Sequence, residues 1–244
     1  MDSLTDKVVL VVGGGTGIGL AIGVAFAREG AKVVLAARTA SSLAAAQALP
    51  DVGATLRTKT CDATDRTQVT ELFAWTVAHV GPIDVLVYSA GINVAQRTFA
   101  DMTPGAFDQV MTVNITGAFN IFHAALPSMR ERRTGTIINV VSVAGVQTLP
   151  FAGLPYTASK SAQAALGRFA NHEVLPDGVR VTNIHPGEVE TPILDKRPVP
   201  PTAEHRARML QPEDVAAMAI AVAKLPPRAI VPEIIIAPPP PSFP

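Results

Sequence analysis

Short β-branched runs alternate with longer alanine-rich stretches along most of the chain, and this alternation restricts the fold more than any other feature. The strand candidates are Val8–Val12, Lys32–Ala36, Thr55–Thr60, Ile83–Val87, Thr136–Val141, Arg180–Ile184 and Ala229–Ile236. Between them, helical periodicity covers about 17–29, 40–48, 65–79, 104–130, 156–174 and 212–224. Strands that read as nearly continuous apolar runs are buried on both faces, as in a parallel sheet covered by helices. Strict βαβ alternation therefore predicts an α/β fold: a doubly wound parallel sheet of about seven strands with helices on both faces.

At 244 residues, one domain spanning 1–244 is the expected organisation. Hydrophobic residues at 48% and charged residues at 16% supply a large core. Twenty basic and 20 acidic side chains give zero formal charge, which argues against a nucleic-acid or anionic-membrane partner. Cys61 is the only cysteine, so no intrachain disulfide forms and a reducing compartment is implied. It reads as a buried hydrophobe at a strand end, with a reactive thiol as the alternative. The first apolar segment is too short for a signal or a membrane span, so a cytoplasmic protein is expected. Thr103, Asp65 and Pro212 have the form of helix starts. Four prolines over 192–201 mark a surface loop, and the proline-rich 237–244 reads as an extended tail or a partner-recognition segment.

Val8–Val12 leads into Gly13-Gly14-Gly15-Thr16-Gly17-Ile18-Gly19 and then a helix. Glycines let the backbone turn sharply and approach an anion, and the helix start presents free N–H groups. The bland alternative is a tight turn without a ligand. The position in the first βαβ unit favours a dinucleotide. The second run ends in Ala36-Ala37-Arg38-Thr39, with no acid between Lys32 and Pro50 to accept from a ribose 2′-hydroxyl. Arg38, with Thr39 or Ser41, suits a 2′-phosphate, so NADP is the expected cofactor and NAD the alternative.

In Tyr156-Thr157-Ala158-Ser159-Lys160, the phenol and the ammonium stand one helical turn apart. A nearby cation lowers the phenol pKa toward working pH, as a general acid/base requires. A packed tyrosine beside a solvated lysine explains the pentapeptide equally well on its own. Fourteen positions earlier, Ser142 closes an apolar strand at the sheet edge where ligands bind. Asn114 lies inside a long helical pattern, where asparagine is a poor fit. No histidine or cysteine spacing suggests a metal site. His185 reads as a structural histidine or a pocket-lining one.

The order of the glycine turn, Asn114, Ser142, Tyr156 and Lys160 resembles the short-chain dehydrogenase/reductase family over about residues 6–192. The resemblance implies a Rossmann-like, NADP-dependent oxidoreductase acting on CH–OH groups of a small carbonyl or alcohol substrate. Tyr156 would be the acid/base and Ser142 the partner of the substrate oxygen. Lys160 would hold the nicotinamide ribose, and Asn114 a water leading to solvent. Cofactor contacts would fall on Gly13, Gly15, Thr16, Gly17, Ile18, Gly19, Arg38 and Thr39. Further along they would include Asp62 and Ala63, with Asp62 meeting the adenine or merely capping its turn. Ser89, Ala90, Gly91, Pro186, Gly187, Val189 and Thr191 would complete the set.

The chain departs from the family in carrying Tyr88-Ser89 where two asparagines are usual, Val12 where threonine is common, and an atypical C-terminal end. A homodimer through the helices at 104–130 and 156–174, or a homotetramer, is expected. The loops near 93–100, 146–155 and 192–210 look apolar (Val146, Leu149, Phe151, Leu154, Ile193, Leu194), which hints at an apolar substrate. Two rival functions remain at this stage: a non-enzymatic NADP-binding redox sensor, and a dehydratase or isomerase on the same fold.

Overall fold

The computed structural model describes residues 3–239, so residues 240–244 of the proline-rich tail lie outside the described residues. Seven strands form one sheet in the order β3-β2-β1-β4-β5-β6-β7, and every pairing is parallel. They are β1 (Val8–Val12), β2 (Lys32–Ala37), β3 (Arg57–Thr60), β4 (Val85–Tyr88), β5 (Gly135–Val140), β6 (Val179–Pro186) and β7 (Glu233–Ile236). The helices are α1 (Gly17–Arg28), α2 (Ala40–Gln47), α3 (Arg66–His79), α4 (Pro104–Met111), α5 (Gly117–Arg132), α6 (Leu154–Val174), α7 (Ala203–Arg206) and α8 (Pro212–Ala223). The doubly wound class is as expected.

Alternate residues of β1 explain why helices cover both faces. Val9 and Val11 pack with Ile22 and Phe26 of α1 and with Val215 and Ala219 of α8. Val8, Leu10 and Val12 point the other way, toward Leu72 of α3 and Ile121 and Phe122 of α5. The strand order reverses between β1 and β4, which opens a crevice at their carboxyl ends.

The expected helix starts are capped as read. The Asp65 side chain accepts from Thr67 and Gln68 N–H, and Thr103 from Ala106 N–H. Pro212 is the first residue of α8, where Gln211 and Asp214 form a reciprocal capping box.

Several boundaries differ from expectation. The third strand begins at Arg57 because Gly53–Thr55 close a tight turn, and the last begins at Glu233, after Pro232. The long pattern over 104–130 is interrupted by a wide five-residue turn, Thr112–Thr116, between α4 and α5. Such wide turns often mark functional positions, and this one carries Asn114. The loop expected at 192–201 contains a short helical turn over Pro192–Lys196.

Candidate functional site

The glycine turn is shaped so that side chains are excluded. Gly13 and Gly17 take positive φ of 86° and 54°, a region L-residues rarely adopt. A Cβ on Gly13 would lie 2.4 Å from the Ala90 nitrogen, and one on Gly19 would lie 2.2 Å from the Gly13 carbonyl oxygen. The turn therefore presses against the Ala90-Gly91 backbone. Thr16 precedes α1 without a side-chain capping bond, and the first turn of α1 has no acid. Its N–H groups are thus available to an anion.

From this turn a cleft of about 420 Å³ runs across the carboxyl ends of the strands to Tyr156 and Lys160. Gly13, Gly15, Thr16, Gly17 and Ile18 line its first part, and Arg38 and Thr39 one end. Asp62, Ala63, Ser89, Ala90, Gly91 and Thr191 follow. Gly19 lies behind the turn rather than in the cleft. Pro186, Gly187 and Val189 line a second, adjoining pocket instead. Ser42, not Ser41, faces the cleft, with its hydroxyl donating to the Thr39 carbonyl. Among the described residues, the exposed Arg38 has no acidic partner. The Asp62 carboxylate caps its turn by accepting from the Thr64 N–H and hydroxyl, and Asp62 also lines the cleft. A glycine cradle, an open helix N-terminus and an unpaired guanidinium together fit a phosphorylated dinucleotide.

Cys61 is buried and free at the end of β3, and burial, with Asp62 next, pushes its thiol up to about 11. That matches the inert reading and not the reactive one.

Tyr156 lines both the long cleft and the second pocket, so it stands where they meet. Ser142 lines the second pocket too, and its hydroxyl is near enough to pull the phenol's pKa down. The Lys160 Nζ lies 5.6 Å from the centre of the Tyr156 ring. One expectation is corrected here: the phenol is not shifted down by Lys160. Burial holds it above its usual value, opposed by the Ser142 hydroxyl and by Arg197 and Arg97. The Lys160 ammonium itself is desolvated, and burial pulls its pKa down to about 7.

Asn114 is fully buried and does not line the cleft. Its Oδ1 accepts from the Ile92 N–H at 2.8 Å, while its Nδ2 donates to the Ile92 carbonyl and to Ser159. It clamps the strand-end segment behind Gly91. A Cβ on Gly91 would come within 3.4 Å of both Asn114 Oδ1 and Lys160 Nζ. His185 lines neither pocket; its Nδ1 sits 3.0 Å from the Ser142 carbonyl oxygen, which favours the structural reading.

The sequence reading missed a buried polar chain behind Lys160. Nζ donates to Gln163 Oε1 at 2.7 Å, and Gln163 Nε2 to Asn139 Oδ1 at 2.7 Å. Asn139 Nδ2 donates to Asn183 Oδ1 at 2.8 Å, and Asn183 Nδ2 to Glu233 Oε1 at 3.2 Å. Every bond runs the same way, from ammonium to carboxylate, so each amide is polarised in the sense that favours a charged lysine. Burial works against the Glu233 charge, but bonds from Arg168 and Asn183 hold it below the ordinary carboxylate range. Two signals were visible: a glutamine one turn beyond Lys160, and an amide inside each of two central strands.

The second pocket, about 120 Å³, holds the expected apolar residues Leu149, Phe151, Ile193 and Leu194, but not Val146 or Leu154. Arg97, Glu188 and Arg197 join them, unforeseen.

A family model described as short chain dehydrogenase matches residues 7–199. An uncharacterized oxidoreductase of Staphylococcus saprophyticus is 36% identical over 241 residues, covering 98% of this chain and all of that one. One from Staphylococcus aureus is 33% identical over 243 residues, with the same coverage. Among solved structures, a closed serine dehydrogenase complexed with NADP+ superposes with a TM-score of 0.87 at 28% identity, covering 95% of each chain. An alcohol dehydrogenase from the archaeon Thermococcus sibiricus, complexed with 5-hydroxy-NADP, gives 0.84 at 26% identity over 95% of this chain and 96% of that one. Sequence match, strand order and cleft geometry agree that this chain belongs to the short-chain dehydrogenase family.

Proposed function

We propose that the protein is an NADP(H)-dependent oxidoreductase that interconverts a carbonyl and an alcohol, with Tyr156 as the proton-transferring group. The observation that carries this reading is the position of Tyr156, which lines both clefts at their junction with Ser142 beside it in the second pocket. The long cleft would hold the dinucleotide, and the second pocket the substrate.

The nicotinamide, when bound, supplies or accepts the hydride. The chain's own residues handle the proton and the charge. In reduction the Tyr156 hydroxyl gives its proton to the substrate oxygen, and in oxidation the phenolate takes it back. Ser142 donates to the same oxygen and steadies negative charge as it develops. Lys160 brings a buried ammonium within 5.6 Å of the phenol ring and has a donor left for the ribose hydroxyls. Asn114 keeps the Ile92 backbone, and so the wall beside Lys160, in place.

A preference for NADP rests on Arg38, exposed at the end of β2 without an acidic partner, and on the NADP-type ligands of the two solved structures above. Phe119 on α5 and Phe169 on α6 are 45% and 68% exposed on one face, which supports a homodimer through these helices. The single free thiol fits a reducing cytoplasm.

The test is a spectrophotometric screen of NADPH oxidation against a panel of carbonyl compounds, repeated with NADH. Turnover with NADPH and a much weaker response to NADH are expected. Turnover with NADH alone overturns the cofactor assignment.

A further inference from the structure

The second pocket carries more positive charge than its own acids balance. Arg97 and Arg197 both line it beside Tyr156. Arg197 is paired with Glu188 at 2.8 Å and lies over the Phe151 ring at 5.3 Å. Glu188 is shared with His205, 2.8 Å away. Arg97 has no such partner. Its Nη1 donates to the Ala152 carbonyl at 2.9 Å, and its Nε is buried with no hydrogen-bond acceptor at all. Asp101, the nearest acid in sequence, is occupied with the backbone N–H of Arg97 and with Thr98. Among the described residues, no carboxylate lies within ion-pair distance of the Arg97 guanidinium. Burial, and then the like charge of Arg197, hold Arg97 below its ordinary arginine value.

Leaving the buried Arg97 Nε without an acceptor and the guanidinium without a counter-charge is costly, because that donor loses water and gains nothing in return. A planar fork is suited to a carboxylate, which it can meet with two parallel bonds. The site is also small: about 120 Å³ is well below the few hundred Å³ typical of drug-sized ligands.

We propose that this pocket takes a small anionic substrate, an oxo acid or the matching hydroxy acid, whose carboxylate binds Arg97 with Arg197 alongside while its carbonyl faces Tyr156 and Ser142. This rests on the oxidoreductase reading above. The reaction is a two-electron exchange: the carbonyl carbon gains hydride from the reduced nicotinamide, its oxygen gains the Tyr156 proton, and the carboxylate is unchanged. The apolar substrate hinted at by the loops is narrowed to a short chain, in keeping with a pocket of about 120 Å³ that Leu149 and Leu194 help to line.

The test uses pyruvate, acetoacetate and levulinate, which place the carboxylate at increasing distance from the carbonyl, each beside its methyl ester. Binding to the NADP+-saturated protein, which cannot reduce them, is measured by calorimetry, and turnover with NADPH by absorbance. At least one acid is expected to bind and turn over at least tenfold better than its ester. Arg97→Met is expected to remove that preference, read as a rise in KM for the acid, while Arg97→Lys restores part of it. Retained NADPH binding shows that each variant is folded, and Arg197→Met provides a second handle if Arg97→Met does not fold.

Equal binding of acids and esters overturns the proposal. So does an acid preference that neither arginine substitution changes. If acids bind through Arg97 but no compound oxidises NADPH, the oxidoreductase reading fails while the anion subsite stands.

Discussion

The two halves of the site are built by different means. The dinucleotide half is made of backbone: a glycine turn with two positive-φ residues, an open helix N-terminus and the bare Ala90-Gly91 edge. Its elements adjoin in sequence or in the sheet, and apart from Arg38 at the ribose end what it needs is the absence of side chains. The substrate half is made of side chains from segments far apart: Arg97 after β4, Ser142 after β5, Tyr156 on α6 and Arg197 beyond β6. What it needs is charge and hydrogen bonds meeting in a small volume. On the proposed reading, one half would recognise a common cofactor mainly through shape, and the other would select a substrate through chemistry.

Substitutions can break this division at either end. The largest effect is expected for Gly13→Val. Its branched side chain meets the Ala90 backbone in a conformation that itself costs about 1–3 kcal/mol, so cofactor binding and turnover should both disappear. Fluorescence titration with NADPH checks this, and wild-type affinity would contradict the backbone account. Ser142→Ala should act on the other half alone, lowering kcat by about 10²- to 10³-fold while NADPH binding is kept. Steady-state kinetics at saturating NADPH would detect it.

Arg38→Glu should invert the ribose end. Losing a charge-assisted bond of about 1.5–3 kcal/mol should cost NADPH roughly 10- to 100-fold in affinity, with NADH unaffected or improved. A ratio of the two affinities that does not move would reject the 2′-phosphate role.

Gln163→Leu should give the smallest effect, and a pH-dependent one. The Lys160 ammonium prevails below its pKa of about 7 and is lost as pH rises through it. Removing the Gln163 acceptor disfavours the ammonium further, so the alkaline limb of the kcat profile should move down by about 1–2 pH units. Activity at low pH should largely survive. A uniform loss at every pH would mean that Gln163 serves packing only.

The same contrast explains what could be read in the sequence. The β-branched runs located all seven strands, most clearly β1, β2, β4 and β5, because parallel strands buried on both faces carry little polar noise; β3 (Arg57–Thr60) is a polar, partly exposed edge. The glycine turn and the Tyr156–Lys160 spacing were legible because each depends on neighbours within one or two turns. Register and three-dimensional meeting points were not. Asn139 and Asn183 stand opposite each other only once β5 and β6 are paired, and Glu233 joins them only through β7. Arg97 and Arg197 are a hundred positions apart and look like ordinary surface arginines until the loops fold over Tyr156. The pKa of Tyr156 was misjudged for the same reason: helical spacing put Lys160 nearby, but burial outweighs proximity.

The central claim is that one phenol serves both clefts, and Tyr156→Phe tests it most directly because it removes a single oxygen. NADPH titration and NADPH-dependent turnover should be measured on the same preparation. Cofactor affinity within a few-fold of wild type, with kcat reduced by about 10²- to 10⁴-fold, is the expected result. Unimpaired turnover by the phenylalanine variant would contradict it.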